Sequence, residues 1–393
     1  MVYSNSSDLL GAVLRDVSRS FYLTLRALPT AVRPQIGLAY LLARAADTIV
    51  DTEILPRTER LEYLLQFRRL LNEKVESNAQ NKWHHLLRPW GTAPTEVLPS
   101  FVPQAGLRRV SAHSPPHVGA SPTASLESML FSLSSLADSA SSAEPNLQAE
   151  KKLLHCLPRC FELFDSLTVE DRMRVAEVVM QLTVGMELDL RRASKDGGLS
   201  FLETLDELED YTYHVAGCVG TFWTRMCIAH LPAFRTWDVD RMSQLGIRFG
   251  KALQWTNILR DIPRDLRNGR CYLPAKDLGE VGLVPSDLYH PHAYKELKPL
   301  YFRYLDHVLK HYEAAWEYTM AIPKSCPRVR LACIWPIWIG LETLALLRCT
   351  DNPLEATQRI RISRWRVYTI MLLSLWCVKS DRRLIAQYQR CGG

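Results

Sequence analysis

The chain has 393 residues, 47% of them hydrophobic and 23% charged, with a formal net charge of +6. These values exclude a disordered or fibrous chain. Ten Cys without a CxxC pair exclude a disulfide framework and a zinc ribbon, so reduced thiols in a cytosolic compartment are expected. The positive balance suits an anionic partner (nucleic acid, membrane surface or phosphorylated metabolite) without choosing among them.

The start, MVYSNSSDLL, has no basic or apolar signal region, and no segment is expected to cross a membrane: the apolar run Leu331 to Leu341 is broken by Pro336. Apolar residues recur at three and four positions through 35–50, 58–74, 150–165, 170–190, 201–230, 240–262, 294–321 and 327–348, with Pro and Gly between them. An all-α chain of about ten helices is expected on that period.

The first informative helix reads IGLAYLLARAADTIVDT over 36–52. At helical spacing Tyr40, Arg44, Asp47 and Asp51 fall within about 60° of one another, and nearly everything else is apolar. Carboxylates on a buried helix need compensating charge.

From about 91 to 145 the helical period fades. Twelve Ser fall between Ser100 and Ser142, with six Pro around them. This composition predicts a loop or disordered insertion, in which only Leu126 to Leu136 is amphipathic.

The segment EDYTYHVAGCVGTFWTR, 209–225, places Gly217 and Gly220 mid-helix, which predicts close approach of a backbone or a bulky ligand. Tyr211 on this helix offers a hydroxyl and an aromatic face; a core tyrosine bonded locally is the equal alternative.

A second greasy helix reads RFGKALQWTNILRDIPRD over 248–265, with Gln254, Asn257, Asp261 and Asp265 on one side. Pro263 predicts a kink or an end near Asp261. Two Asp-x-x-x-Asp stripes on apolar helices imply a shared cation. A hard divalent ion takes carboxylate and phosphate oxygens together, so Mg²⁺ and a diphosphate are expected, with Arg44 and Arg260 against the phosphates. A satisfied buried salt-bridge network is the alternative. His307 and His311 are spaced i, i+4 without the Glu of HExxH, which favours packing or surface over zinc, and Cys156 and Cys160 read as structural. No GxGxxG or GxxxxGK[ST] occurs, so no nucleotide fold is indicated.

Four stretches together resemble the squalene/phytoene synthase family: Ser18-Arg19-Ser20-Phe21, YLLARAADTIVD from Tyr40 to Asp51, YTYHVAGCVG from Tyr211 to Gly220, and QWTNILRDIPRDLRNGRCYLP from Gln254 to Pro274. The likeness covers about 8–75 and 150–375. Within the family, CIWPIWIGLETLALL followed by RIRISRWRVYTIM is similar to the tail of reductive, bacterial-type squalene synthases. The resemblance implies a single all-α isoprenoid synthase domain over 1–393, interrupted by the insertion at 91–145, with a helical bundle around an apolar cavity. It implies condensation of two farnesyl diphosphates to presqualene diphosphate, then NADPH-dependent reduction to squalene. It assigns Asp47, Asp51, Asp261 and Asp265 to Mg²⁺. It places Ser18, Arg19, Ser20, Tyr40, Arg44, Gln254, Asn257, Arg260 and Arg270 at the substrate, Tyr211 at the carbocation or its proton, and Arg361 and Arg364 at NADPH. A relative stopping at presqualene diphosphate, dehydrosqualene or phytoene, and a non-catalytic helical member, are the alternatives. Thr52 stands where many relatives have a further Asp, and Arg264 where many have an acid. A monomer in the cytoplasm is expected, with the basic tail touching the inner membrane face or simply solvated; nucleic acid is not an expected partner.

Overall fold

The computed structural model describes residues 8–18, 21–52, 55–76, 145–192, 198–355 and 360–390. The expected insertion lies outside them except at its end, where Pro145 already opens a helix. A π-helical turn, Leu9–Val13, leads into α1 (Leu14–Ser18) and α2 (Phe21–Ala27). Then come α3 (Arg33–Asp51), α4 (Arg57–Glu76), α5 (Pro145–His155), α6 (Leu157–Asp165) and α7 (Val169–Arg192). After a two-residue strand, β1 (Ser200–Phe201), follow α8 (Leu205–Thr212), α9 (Cys218–His230) and α10 (Val239–Arg267). The chain continues through β2 (Arg270–Cys271), α11 (Ala275–Glu280), α12 (Tyr294–Ala321), α13 (Pro327–Cys349), α14 (Arg364–Cys377) and α15 (Asp381–Arg390). The all-α expectation holds. Fifteen helices stand among the described residues where about ten were expected, because several periodic stretches are split by short turns.

Two apolar cores form. One gathers α3, α4, α6, α7 and α9; the other gathers α8, α10, α12 and α13 and is closed by α14 and α15. Phe249 of α10 packs against both. On α3 the apolar residues wrap almost the whole helix, so Leu38, Leu41, Leu42, Ala45 and Ala46 are all buried while the polar stripe stays partly open.

Backbone contact explains Gly220 of the two mid-helix glycines, and Gly250 opposite Gly217. A Cβ on Gly220 would stand 2.0 Å from the carbonyl carbon of Gly246, and one on Gly250 would stand 2.3 Å from the carbonyl oxygen of Ala216. Thus α9, with the π-helical turn Tyr213–Gly217 before it, crosses α10 at main-chain distance.

Pro263 neither ends nor interrupts α10, which runs on to Arg267. This corrects the sequence expectation, and a hydrogen bond supplies the reason. Proline cannot donate to the carbonyl four residues earlier, that of Leu259. The buried Tyr301 hydroxyl of α12 donates to that carbonyl at 3.2 Å instead. The helix ends at Asn268 and Gly269, where a φ of +70° suits glycine. Parallel pairing of Ser200 with Arg270 and of Phe201 with Cys271 then fixes the returning chain.

Among the described residues, one helix, α13, is long and apolar enough to cross a membrane. Sequence inspection discounted it because of Pro336, yet it is helical throughout. Of its apolar window 67% is buried inside the protein, as a core helix would be.

Candidate active site

A cavity of about 490 Å³ opens between the two cores. Its deep walls are apolar: Leu182 and Met186 of α7, Val219 and Trp223 of α9, Phe249 and Leu253 of α10, Tyr318 of α12 and Cys333 of α13. Among the described residues, the indole N–H of Trp223 has no hydrogen-bond partner. The polar end is built from the two sequence stripes. Tyr40, Arg44 and Asp47 of α3 face Gln254 and Asn257 of α10 across it. Asp51 and Asp261 lie one turn further along these helices, and Asp265 one turn beyond Asp261.

The charges at that end are interlocked. Arg44 donates to Asp47 and also to Glu150 of α5. Arg260 grips Asp261 with both ends of its fork, at 2.8 and 2.7 Å, and reaches the Asn257 side-chain oxygen at 2.8 Å. Its guanidinium thus pairs with Asp261, one of the expected metal ligands. The reason is geometric: neighbouring residues on a helix diverge, but the long Arg260 side chain folds back onto Asp261.

Burial, then the neighbouring Asp51, push Asp47 up to about 6 against the pull of Arg44. Burial, then Asp261, push Asp265 up to about 7 against the pull of Arg270. Each stripe thus holds a carboxylate that resists ionising beside its partner. That is the condition a divalent cation relieves, and the donor set is one of hard oxygens. The residues fit Mg²⁺.

Arg270 joins the stripes. Burial works against its charge, but Tyr272, Asp189 and Asp51 hold its proton more tightly than usual. Its guanidinium is 4.0 Å from Asp189. Asp189 of α7 accepts from the Tyr211 hydroxyl at 3.0 Å and from the Tyr272 hydroxyl at 3.1 Å, and these two rings stack at 4.9 Å. Burial raises Asp189, opposed by Arg270 and the two phenols. Burial and the adjacent carboxylate push Tyr211 well above the ordinary phenol value, so it is a neutral donor.

Sequence reasoning missed Asp189, Glu150 and Tyr272. Asp189 sits in GMELDLRR two residues after Glu187, a spacing that a search for acids at i and i+4 passes over. Of the remaining expected residues, Ser18 is buried with its hydroxyl bonded to the Leu14 carbonyl of its own helix, away from the cavity lining. Arg19 and Ser20 lie outside the described residues. Arg361 and Arg364 are exposed at and before the start of α14 and do not line the cavity. Cys160 is buried, and burial pushes its thiol up to about 12, as expected of a structural cysteine.

The squalene/phytoene synthase family model matches residues 14–105 and 117–366. The chain belongs to the squalene/phytoene synthase family. That family comprises head-to-head prenyl condensation enzymes. Among curated relatives, a bifunctional lycopene cyclase/phytoene synthase of Arthroderma gypseum is 32% identical over 187 residues, covering 47% of this chain and 30% of the relative. A 15-cis-phytoene synthase of Enterobacter agglomerans is 39% identical over 113 residues, covering 29% and 36%. The chain thus spans about a third of the length of these relatives. Two solved structures share the fold. TcSQS in complex with the ligand BPH1237 is 18% identical with a TM-score of 0.64, covering 99% of this chain and 96% of that one. A dehydrosqualene synthase in complex with ligand is 19% identical with a TM-score of 0.59, covering 96% and 98%.

Proposed function

We propose that this chain condenses two prenyl diphosphates head to head at the cavity. The observation that carries this reading is the pair of acid stripes that meet at Arg270 beside the polar end of an apolar cavity. Mg²⁺ held by Asp47, Asp51, Asp261 and Asp265 would act as a Lewis acid that stabilises the departing diphosphate. Arg44 and Arg270 meet phosphate oxygens, and Arg260 joins them by exchanging Asp261 for phosphate. Tyr40, Gln254 and Asn257 orient the head group at the neck. The apolar walls take the prenyl chains and keep water from the allylic cation. The faces of Tyr40, Phe249 and Trp223 stabilise positive charge. Tyr211 acts as a neutral phenol: a proton taken up there on ring closure is matched by one handed to Asp189.

For the product, the names of the curated relatives favour the non-reductive course to phytoene. The likeness of the segment after Cys333 to reductive enzymes favours squalene, with NADPH. The exposed Arg361 and Arg364 are the charges proposed for that cofactor. The deciding experiment supplies farnesyl diphosphate or its geranylgeranyl homologue with Mg²⁺, with and without NADPH, and identifies the extracted products. A Mg²⁺-dependent cyclopropyl diphosphate or hydrocarbon is expected. Squalene appearing with NADPH alone selects the reductive course; no condensation product from either substrate sinks the proposal. Asp47→Ala and Asp261→Ala are each expected to lower turnover by roughly 10²–10³-fold.

The second part of the proposal is peripheral contact with an anionic bilayer through α14. Trp365, Tyr368, Leu372, Leu375 and Trp376 form one outward stripe, with Trp365 82%, Leu372 69% and Trp376 65% exposed. Arg361, Arg364, Lys379, Arg382 and Arg383 flank it. Fourteen residues are too few to span a bilayer, so the helix lies on it. The proposed substrates and products are lipophilic and would exchange with that surface.

A further inference from the structure

Away from the cavity, three ligand-type atoms converge where α8 meets α12. His307 Nε2 is 2.9 Å from Glu209 Oε1 and 3.2 Å from His311 Nε2. His311 Nε2 is 3.8 Å from the same Glu209 oxygen. A tetrahedral zinc ion with ligand bonds of about 2.0–2.1 Å spaces its ligands about 3.3 Å apart. The three edges bracket that value before any ion is added. As a hydrogen-bond network the trio is poorly matched. Two imidazole nitrogens point at each other and at one carboxylate oxygen, and a proton on one nitrogen cannot serve all three pairs. A single cation between them does.

The surroundings orient the ligands. Lys251 of α10 donates to Glu209 Oε2 at 2.7 Å, and Trp255 donates to Oε1 at 2.9 Å, which fixes the plane of the carboxylate. Such outer partners are what hold first ligands in place. His311 is 7% exposed, whereas His307 and Glu209 are half-buried, so the fourth position opens toward solvent. Burial lowers His311, favouring the neutral ring that ligates. Burial alone would raise Glu209, but bonds from His307, His311 and Lys251 hold its carboxyl far below the usual range.

We propose that Glu209, His307 and His311 form a tridentate site for a tetrahedral transition-metal ion, Zn²⁺ foremost, that is distinct from the diphosphate-binding carboxylates. Its place in the fold assigns it a clamp. Glu209 lies two residues before Tyr211 on α8, both histidines are on α12, and Lys251 and Trp255 are on α10, the helix of Asp261. An ion there ties α8 to α12, and Glu209 extends the tie to α10 through Lys251 and Trp255.

The test uses the full chain without an affinity tag, stripped with a chelator and dialysed against Zn²⁺ in excess Mg²⁺. Bound zinc is measured by elemental analysis, and the Co²⁺ form is examined for the visible bands of a tetrahedral ion. The wild type is expected to retain about one zinc per chain. It should also melt several degrees higher with zinc than without. His307→Gln and His311→Gln are expected to lose the zinc, the cobalt bands and the zinc-dependent shift, while Asp47→Ala keeps all three. Should His311→Gln fail to fold, the half-exposed His307→Gln decides alone. A stripped wild type that takes up no zinc, histidine variants that bind as much as wild type, or zinc lost only from Asp47→Ala would each overturn the site.

Discussion

Arg270 is influenced by both carboxylate stripes and by Asp189, and so a single guanidinium links three helices' worth of negative charge. Its neighbour Asp189 has no role in an acid pair, yet it receives two phenols and sits against that arginine. Asp189→Asn keeps the size and removes the charge. We expect turnover to fall by roughly 10–100-fold, with the melting temperature changed by only a few degrees, because the two phenols lose an anionic acceptor. Steady-state kinetics beside a thermal melt checks this, and a variant with wild-type turnover would remove Asp189 from the site. The stripes Tyr40-Arg44-Asp47-Asp51 and Gln254-Asn257-Asp261-Asp265 were legible in the sequence because a helical period converts spacing into a face. Asp189 and Glu150 were not, because their importance comes from which helix they meet, and no local spacing records that. The sequence also places Arg260 beside the acid stripe, and the structure pairs it with Asp261 and Asn257.

At the scale of the element, two local rules were broken in ways that the packing explains. Pro263 orphans the Leu259 carbonyl, and Tyr301 satisfies it. Tyr301→Phe is therefore expected to cost about 1–3 kcal/mol, the cost of leaving a buried acceptor unmet. In a Pro263→Ala background, where residue 263 regains its N–H, the same change should cost clearly less. Urea denaturation of the four proteins of this cycle measures the difference, and equal costs in both backgrounds would refute the explanation. Gly220 touches Gly246 main chain to main chain. Gly220→Ala is expected to destabilise by about 3 kcal/mol or more, since backbone cannot move aside as a side chain can. The sequence disclosed the close approach at Gly217 and Gly220 through their misplacement in a helix. It did not disclose the continuation of α10 past Pro263, because the compensating donor is 38 positions away in the chain at residue 301.

At the scale of the molecule, the tail was read from sequence as basic, and the structure adds an apolar stripe to it. Sedimentation with vesicles containing anionic lipid is expected to carry down the protein. Trp365→Ala with Trp376→Ala should weaken binding by about tenfold or more, and raising the salt should weaken it further. A protein that ignores vesicles but forms dimers lost in the same variant would assign the stripe to a second copy instead. The all-α architecture was legible throughout because nearly every segment carries a 3.6-residue period. The two cores and the cavity between them were not, since they depend on which apolar faces pair. Nothing in residues 36–52 says that α7 will cover one side of α3.

The order of the helices along the chain also has a consequence for biosynthesis. Asp47 and Asp51 emerge from the ribosome some two hundred residues before Asp261, Asp265 and Arg270. Meanwhile α3 is covered first by α4 and α6 and then by α7, where the Gln35 side chain donates to Asp171 at 3.1 Å. The α3–α7 half then waits with an unmatched acid stripe and an unfilled apolar wall until α10 has been made. Such a waiting half exposes the surface on which chaperones act and on which aggregation begins.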